Sequence, residues 1–360
     1  MDYYSDRRNR LIKYIEQNAL DGFLVRKKQN VSYLSGTRGE DAVLFISPKK
    51  NFFITDSRYE EEYKKSIKNR SLAITKNKNM LEGIVDACRE TGSKRIGFEA
   101  DNFSYAAYSN LKKTLKNIKL APCALAVETL RMVKDKSEIG YIAKACEHGS
   151  RIMNQAVKFV KPGASEKNVK TRVEEYAMKN NLAFADFDII IASGKNSSMP
   201  HAMVSDKKIK KNEMVVIDLG AVYSGYNSDL TRTVFLGKIS HKYLHIYTIV
   251  LEAQKKAIER IKPGMYAKDI DAVSRRYISE KGMGRYFLHS LGHGIGRETH
   301  EIPAISRNSE IRLEKDMVIT VEPGVYVPGW GGIRIEDTVL VTENGCKILT
   351  EGADKYAGRN

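Results

Sequence analysis

The order of apolar and polar positions in the first third of the chain predicts helices and strands taking turns. Apolar residues recur at helical spacing over 5–19, and a further helix is expected near 104–117. Between them lie short apolar runs of strand character: GFLV (22–25), AVLFIS (42–47), NFFITD (51–56) and IGFEA (96–100). That rhythm predicts a small α/β domain ending near residue 130. The polar stretch MVKDKSE (132–138) reads as the linker, with Ser137 as the cap of the helix that follows.

Beyond the linker the pattern repeats itself. A helical stretch over 138–160 ends at Lys161-Pro162-Gly163, and another over about 243–261 ends at Lys262-Pro263-Gly264, 101 positions later. Further helical sequence follows each KPG, at 165–180 and 267–281, and then β-rich sequence. Pro and Gly mark helix ends on their own account, but the matched order of elements points to an internal duplication. Residues 131–360 are therefore expected to form an α+β domain of two similar halves. A chain of 360 residues suits two domains with separate cores.

Composition narrows the picture. With 42% hydrophobic and 29% charged residues the chain is expected to be globular and soluble. The opening MDYYSDRRNRLIKYIEQ is an amphipathic helix without the apolar core of an export signal, and no uncharged apolar run is long enough to span a bilayer. Cys88, Cys123, Cys146 and Cys346 are scattered without a CxxC pair, which suits reduced thiols and a cytoplasmic protein. The net charge of +16 raises nucleic-acid binding as a rival function. The excess is spread evenly, however, with 24 basic and 16 acidic side chains in residues 1–130 and 36 and 28 in 131–360. The densest cluster, Lys207, Lys208, Lys210 and Lys211, reads as a solvated turn, so no specific nucleic-acid partner is expected.

Chemistry enters where acids stand on strands. MVVIDLGAVYSGYNSDLTRTVFLG places Asp218 at the end of an apolar run and Asp229 across a Gly- and Asn-containing turn, a spacing that fits a hairpin returning the second carboxylate beside the first. MVITVEPGVYVPGWGGIRIEDTVLV does the same with Glu322 and Glu336. An unpaired buried carboxylate costs several kcal/mol or takes up a proton, so four together require positive charge nearby. Arg232 and Arg334 offer one source, as an ion-pair network. His293, in the Gly-rich HSLGHGIG, adds a nitrogen ligand and favours the other source, a bridged pair of divalent cations, because carboxylates can span two ions and offset their repulsion.

These strings resemble the M24 peptidases of pita-bread fold, in their proline-specific branch of Xaa-Pro aminopeptidases and Xaa-Pro dipeptidases (prolidases). The likeness covers essentially the whole chain. It runs through NVSYLSG (30–36) and ITDSRYEEEY (54–63), then FDIIIASGKNSSMPHA (187–202), VIDLGAVYSGYNSDLTRT (216–233), HSLGHGIGRETHE (289–301), VEPGVY (321–326) and GGIRIEDTV (331–339). It implies a creatinase-like α/β domain over 1–130 and a pita-bread catalytic domain over 131–360, whose pseudo-twofold pairing of α+β halves agrees with the duplication.

By that resemblance Asp218, Asp229, His293, Glu322 and Glu336 would hold two divalent metal ions, with Asp229 and Glu336 bridging them. Mn²⁺ suits four oxygen donors and one nitrogen, with Co²⁺, Fe²⁺ and Zn²⁺ open. Glu322 would also move the proton, and His300 would donate a hydrogen bond to the developing oxyanion. His201, His289 and His300 would line the substrate pocket, as would Tyr326 and Arg334, although these last two equally suit support behind the acids. His148, His241 and His245 read as structural or exposed. The implied substrate is a peptide with proline at its second position. Xaa-Pro aminopeptidase is the first reading and Xaa-Pro dipeptidase the alternative; a non-enzymatic pita-bread binding protein is a distant third, and methionine aminopeptidases lack this proline-branch motif set. A homodimer without a membrane partner is the expected assembly.

Overall fold

The structure, a computed structural model, describes residues 2–67, 72–76 and 79–355; Met1 and 356–360, the outer ends of the two expected domains, lie outside them. The chain divides into two compact units, Met1–Arg131 and Met132–Asn360.

In the first unit six strands form one mixed sheet of order β4-β3-β2-β1-β5-β6, from β1 (Gly22–Val25), β2 (Ala42–Ile46), β3 (Phe52–Thr55), β4 (Ala73–Lys76), β5 (Arg95–Glu99) and β6 (Lys119–Cys123). Alternation along the strands explains why they read as continuous apolar runs. Phe23, Val25, Leu44, Ile46 and Phe53 enter one core, while Leu24, Val43, Phe45, Phe52 and Ile54 enter another on the opposite face. Helices α1 (Tyr3–Gln17), α2 (Lys28–Ser35), α3 (Glu60–Ser66) and α6 (Ala126–Met132) contribute to the first core. Helices α4 (Met80–Thr91) and α5 (Tyr105–Thr114) cover the second.

The expected linker is shorter than MVKDKSE. Met132 ends α6, and α7 (Lys136–Phe159) already begins at Lys136. Ser137 is not the cap. Asp135 caps the helix through Ser137 N and Glu138 N, and the Glu138 carboxylate returns to the Asp135 backbone, a reciprocal capping box.

The second unit carries the duplication. Its first half contains α7, α8 (Glu166–Lys179), β7 (Ala183–Phe184), β8 (Ile190–Ser193), β9 (Met214–Leu219), β10 (Ala221–Tyr223), β11 (Tyr226–Asn227) and β12 (Leu230–Phe235). Its second half contains α9 (His241–Ile258), α10 (Ala267–Glu280), β13 (Gly292–Gly294), β14 (Glu301–Ile305), β15 (Val318–Val321), β16 (Gly324–Val327), β17 (Gly331–Arg334), β18 (Asp337–Val341) and β19 (Cys346–Ile348). Sheets β12-β9-β8 and β14-β13-β15-β18-β19 are packed by separate clusters of apolar side chains from their own helices.

Equivalent hydrogen bonds show that the two KPG turns are the same structural device. Gly163 N donates to Ile209 O and Gly264 N to Leu313 O, both at 2.8 Å, while Ala164 O accepts from Ile209 N and Met265 O from Leu313 N. Both glycines adopt left-handed backbone, with φ of 91° and 88°. The segment containing Lys207 and Lys208 is one partner in this arrangement; Lys208, Lys210 and Lys211 are exposed, as a solvated turn implies, and Lys207 is half-buried. Ser165 bridges to Lys208, and the Lys207 ammonium lies 2.9 Å from Glu213 Oε1.

Two hairpins place the acids. Strands β9 and β12 pair antiparallel with Asp218 opposite Thr231, and the chain turns at Ser224-Gly225, both at positive φ. Gly220 is required where the hairpin narrows, because a Cβ there would stand 2.0 Å from Ser228 O. In the second half β15 pairs with β18, Val321 facing Asp337, and β16 and β17 form the hairpin between them. Glu322 and Glu336 are the next residues beyond that register, so they leave the two strand ends side by side. They are at the ends of the strands and not within them.

Candidate metal centre

The second unit brings all five expected ligand residues to one cavity of about 350 Å³. Asp229, His293 and Glu336 each offer a ligand atom within 4.8 Å of the others. His293 Nε2 stands 3.2 Å from Glu322 Oε1 and 3.7 Å from Asp229 Oδ2. Asp218 lines the same cavity but turns one oxygen to the Arg334 guanidinium.

His293 is aimed by backbone irregularity. The β13–β14 register shifts between His293 and Gly294, a bulge of the kind that re-aims a side chain beside a functional site. Its glycine neighbours are needed for close packing: a Cβ on Gly292 would meet Thr320 O at 2.0 Å, and one on Gly294 would meet Ile302 O at 2.4 Å. His293 Nδ1 lies 3.0 Å from Gly294 O, an arrangement that leaves Nε2 for the acids.

The cluster is short of positive charge. Asp218, Asp229 and Glu336 are buried, and Asp218 Oδ1 and Glu336 Oε1 have no hydrogen-bond partner. Burial, reinforced by the neighbouring carboxylates, pushes Asp229 and Glu336 well above the usual carboxylate range. Asp218 is also raised by burial, against the opposing Arg334 charge. Burial disfavours an ionised Glu322 too, but the His293 hydrogen bond and charge hold it down at about 2. The same contacts overcome burial at His293 and push it up to about 9. Orphaned oxygens among acids that can ionise only at high cost suit cation binding, and the donor set of oxygen with one imidazole fits divalent metal.

Around the acids, His201, His289, His300 and Arg334 line the cavity, with Phe187, Ile189, Ile190 and Met203 as apolar wall. His300 packs against His293 with ring centroids 4.3 Å apart, and burial followed by the His293 charge lowers its pKa, keeping it neutral near pH 7. His289 Nε2 lies 2.9 Å from the Tyr326 hydroxyl, which accepts from Arg334 Nη1 at 2.7 Å. Tyr326 itself does not line the cavity. Arg334 is fully engaged by Asp218, Tyr326, Thr231 Oγ1 and Pro200 O. Tyr326 therefore stands behind the acids, whereas Arg334 both lines the cavity and supports Asp218.

Thr231 went unnoticed in the sequence. Its hydroxyl donates to Glu336 Oε2 at 2.7 Å and accepts from Arg334 Nε at 3.1 Å, linking the two hairpins. The available signal was a hydroxyl in SDLTRT facing the same way as Asp229 on a buried strand. His148 packs edge-on against Tyr223, while His241 and His245 are exposed on α9, away from the cavity lining.

Protons and cations compete for these acids, so a pH dependence follows. A carboxyl group with raised folded pKa, or His293 with its raised value, binds protons in the folded state that the unfolded chain has released; these groups lose stabilising effect as pH rises through their folded pKa. Cations displace those protons and bind more strongly at higher pH. The melting-temperature gain on adding saturating Mn²⁺ is expected to widen from about pH 5 to about pH 8. A gain that narrows over that range contradicts the assignment.

A sequence profile of metallopeptidase family M24 matches residues 140–343, and one of the creatinase/prolidase N-terminal domain matches residues 7–133. The Xaa-Pro dipeptidase of Pyrococcus furiosus is 41% identical over 348 residues, 96% of this chain and 98% of its own. Among solved structures, the Xaa-Pro dipeptidase from Bacillus anthracis matches with a TM-score of 0.95 at 37% identity, covering 99% of this chain and 100% of that one. The X-Pro aminopeptidase from Thermotoga maritima matches with a TM-score of 0.88 at 35% identity, covering 98% and 99%. Together with a creatinase-type unit followed by a duplicated unit of pita-bread fold, these matches make the chain a member of metallopeptidase family M24 and a metal-dependent hydrolase.

Proposed function

We propose that the protein is an Xaa-Pro dipeptidase that works with two divalent cations, Mn²⁺ by donor chemistry, held by Asp218, Asp229, His293, Glu322 and Glu336. The observation that carries this reading is the convergence of those five side chains, two with orphaned oxygens, on one cavity that three further histidines also line. The dipeptidase is preferred here to the aminopeptidase, which is the first reading of the motifs. Relatives at 41% and 37% identity over nearly the whole chain carry the dipeptidase name, and a cavity of about 350 Å³ is at the small end for ligand clefts, suiting a dipeptide. Four free cysteines among the described residues suit a cytoplasmic enzyme, and no described helix is long and apolar enough to cross a membrane. A homodimer belongs to the same proposal.

When bound, the cations supply Lewis acidity and a solvent nucleophile that ionises at a pKa of about 7. The chain's own residues do the rest. Glu322, which lines the cavity 3.2 Å from His293, takes the proton of the attacking solvent and passes it to the departing nitrogen. That transfer matters for proline, whose tertiary amide has no N–H and leaves as a secondary amine. His300, neutral at the cavity edge, donates a hydrogen bond as negative charge gathers on the carbonyl oxygen. His201 and His289 border the space for the substrate, and Phe187, Ile189 and Ile190 wall it from water.

Two measurements test the reading. With Mn²⁺ present, Ala-Pro is expected to be hydrolysed and Ala-Pro-Ala to be left intact; rapid release of alanine from the tripeptide returns the assignment to aminopeptidase. His300→Ala is expected to lower kcat by about 10²–10³, the usual loss for one oxyanion donor, with metal content and melting temperature unchanged. Near-normal turnover, or loss of metal, removes His300 from this role.

A further inference from the structure

We infer that Arg232, together with Asp337 and residues 350–355, is a positioning device for the metal centre, clamping from behind the backbone that carries Asp229 and Glu336. The inference rests on the reading of those two acids as metal ligands.

Glu336 and Asp337 are consecutive acids with opposite surroundings. Glu336 lines the cavity, whereas Asp337 does not and is fully buried behind it. The Asp337 carboxylate accepts from Arg232 Nη2 at 2.8 Å, Thr350 Oγ1 at 2.9 Å and Gln254 Nε2 at 3.1 Å, and the Lys355 ammonium lies 2.6 Å away. Arg232 is equally enclosed, at 1% exposure. Its guanidinium donates to Ala353 O through Nη2 and Nε, to Asp354 O through Nε, and to Thr231 O and Glu336 O through Nη1.

The backbone carbonyls of both central acids are thereby held by side chains of one buried network. Arg232 grips the carbonyl of Glu336, and Thr338 Oγ1 donates to the carbonyl of Asp229 at 2.8 Å. Thr338 N in turn donates to Thr350 Oγ1, so the 350–355 segment closes the network at both ends. A buried ion pair of this kind is weak evidence for stability, since apolar residues of similar volume fill such space at no greater cost. Fixed geometry is a different gain. Mutually repelling carboxylates must be held to within roughly 0.5 Å of a binding arrangement, and partners of ligand residues typically govern metal affinity by about 10–100-fold.

Arg232→Lys tests the device in the full chain. It keeps a cation opposite Asp337 but removes the fork that reaches Glu336 O and Ala353 O together. Mn²⁺ affinity is measured by competition with a chelator, beside the melting temperature of the metal-free protein. The dissociation constant is expected to rise about 10–100-fold in protein that still unfolds cooperatively. Lys355→Met, at the more exposed rim of the network, is the second variant and decides the matter if the first fails to fold; its dissociation constant is expected to rise about tenfold. Wild-type affinity in a folded variant overturns the inference, whatever happens to the melting temperature, because a role confined to folding moves only the latter. A wild-type protein that binds no Mn²⁺ overturns the ligand reading and this inference together; equal binding by wild type and variants overturns this inference alone.

Discussion

Repulsion among four carboxylates gathered in one cavity is the constraint on which the rest of the catalytic unit depends. Burial and mutual repulsion oppose the ionisation of Asp218, Asp229, Glu322 and Glu336 together: they raise Asp229 and Glu336 well above the usual carboxylate range, while His293 is the positive partner that holds Glu322 down. Arg334 answers one member of the set, Asp218, and its remaining donors go to Tyr326, Thr231 and Pro200 O. The remaining deficit is what divalent cations offset, and the same deficit drives their capture. Affinity for metal and instability of the metal-free site are two readings of one charge imbalance.

Duplication is how the fold brings such acids together without burying them in a single strand. Each half contributes a pair from one strand–hairpin–strand segment: Asp218 and Asp229 beside β9 and β12, Glu322 and Glu336 at the ends of β15 and β18. The halves then meet through specific contacts. Glu336 N donates to Thr231 O, and Thr233 Oγ1 donates to Arg334 O while accepting from Arg334 N. A strand from the first half thus sets the height of an acid from the second.

Much of this was legible in the sequence because it breaks the ordinary rule for strands. Acids in apolar runs such as VVIDLG and VITVEPG are anomalies, and their spacing across Gly-containing turns encodes hairpins. The KPG repeat was equally plain, since both glycines occupy left-handed backbone that few other residues accept. What escaped depends on partners distant in sequence. Nothing in MVKDKSE distinguishes a helix cap from its neighbour, so Asp135 was passed over for Ser137 although it is the Asp135 side chain that reaches Ser137 N and Glu138 N. The links from His289 through Tyr326 to Arg334, and from Thr231 to Glu336, join residues 37 and 105 positions apart and exist only once the halves are folded. The choice between dipeptidase and aminopeptidase was illegible for a related reason: both activities share the ligand motifs, and the difference lies in the shape of the substrate cleft.

The central claim is that the carboxylate cluster holds two cations, and anomalous X-ray diffraction from crystals grown with Mn²⁺ tests it most directly. Two anomalous peaks are predicted in the cavity, where Asp218, Asp229, His293, Glu322 and Glu336 would hold the ions. A single peak, or manganese bound elsewhere with these five side chains still paired among themselves, would contradict the account.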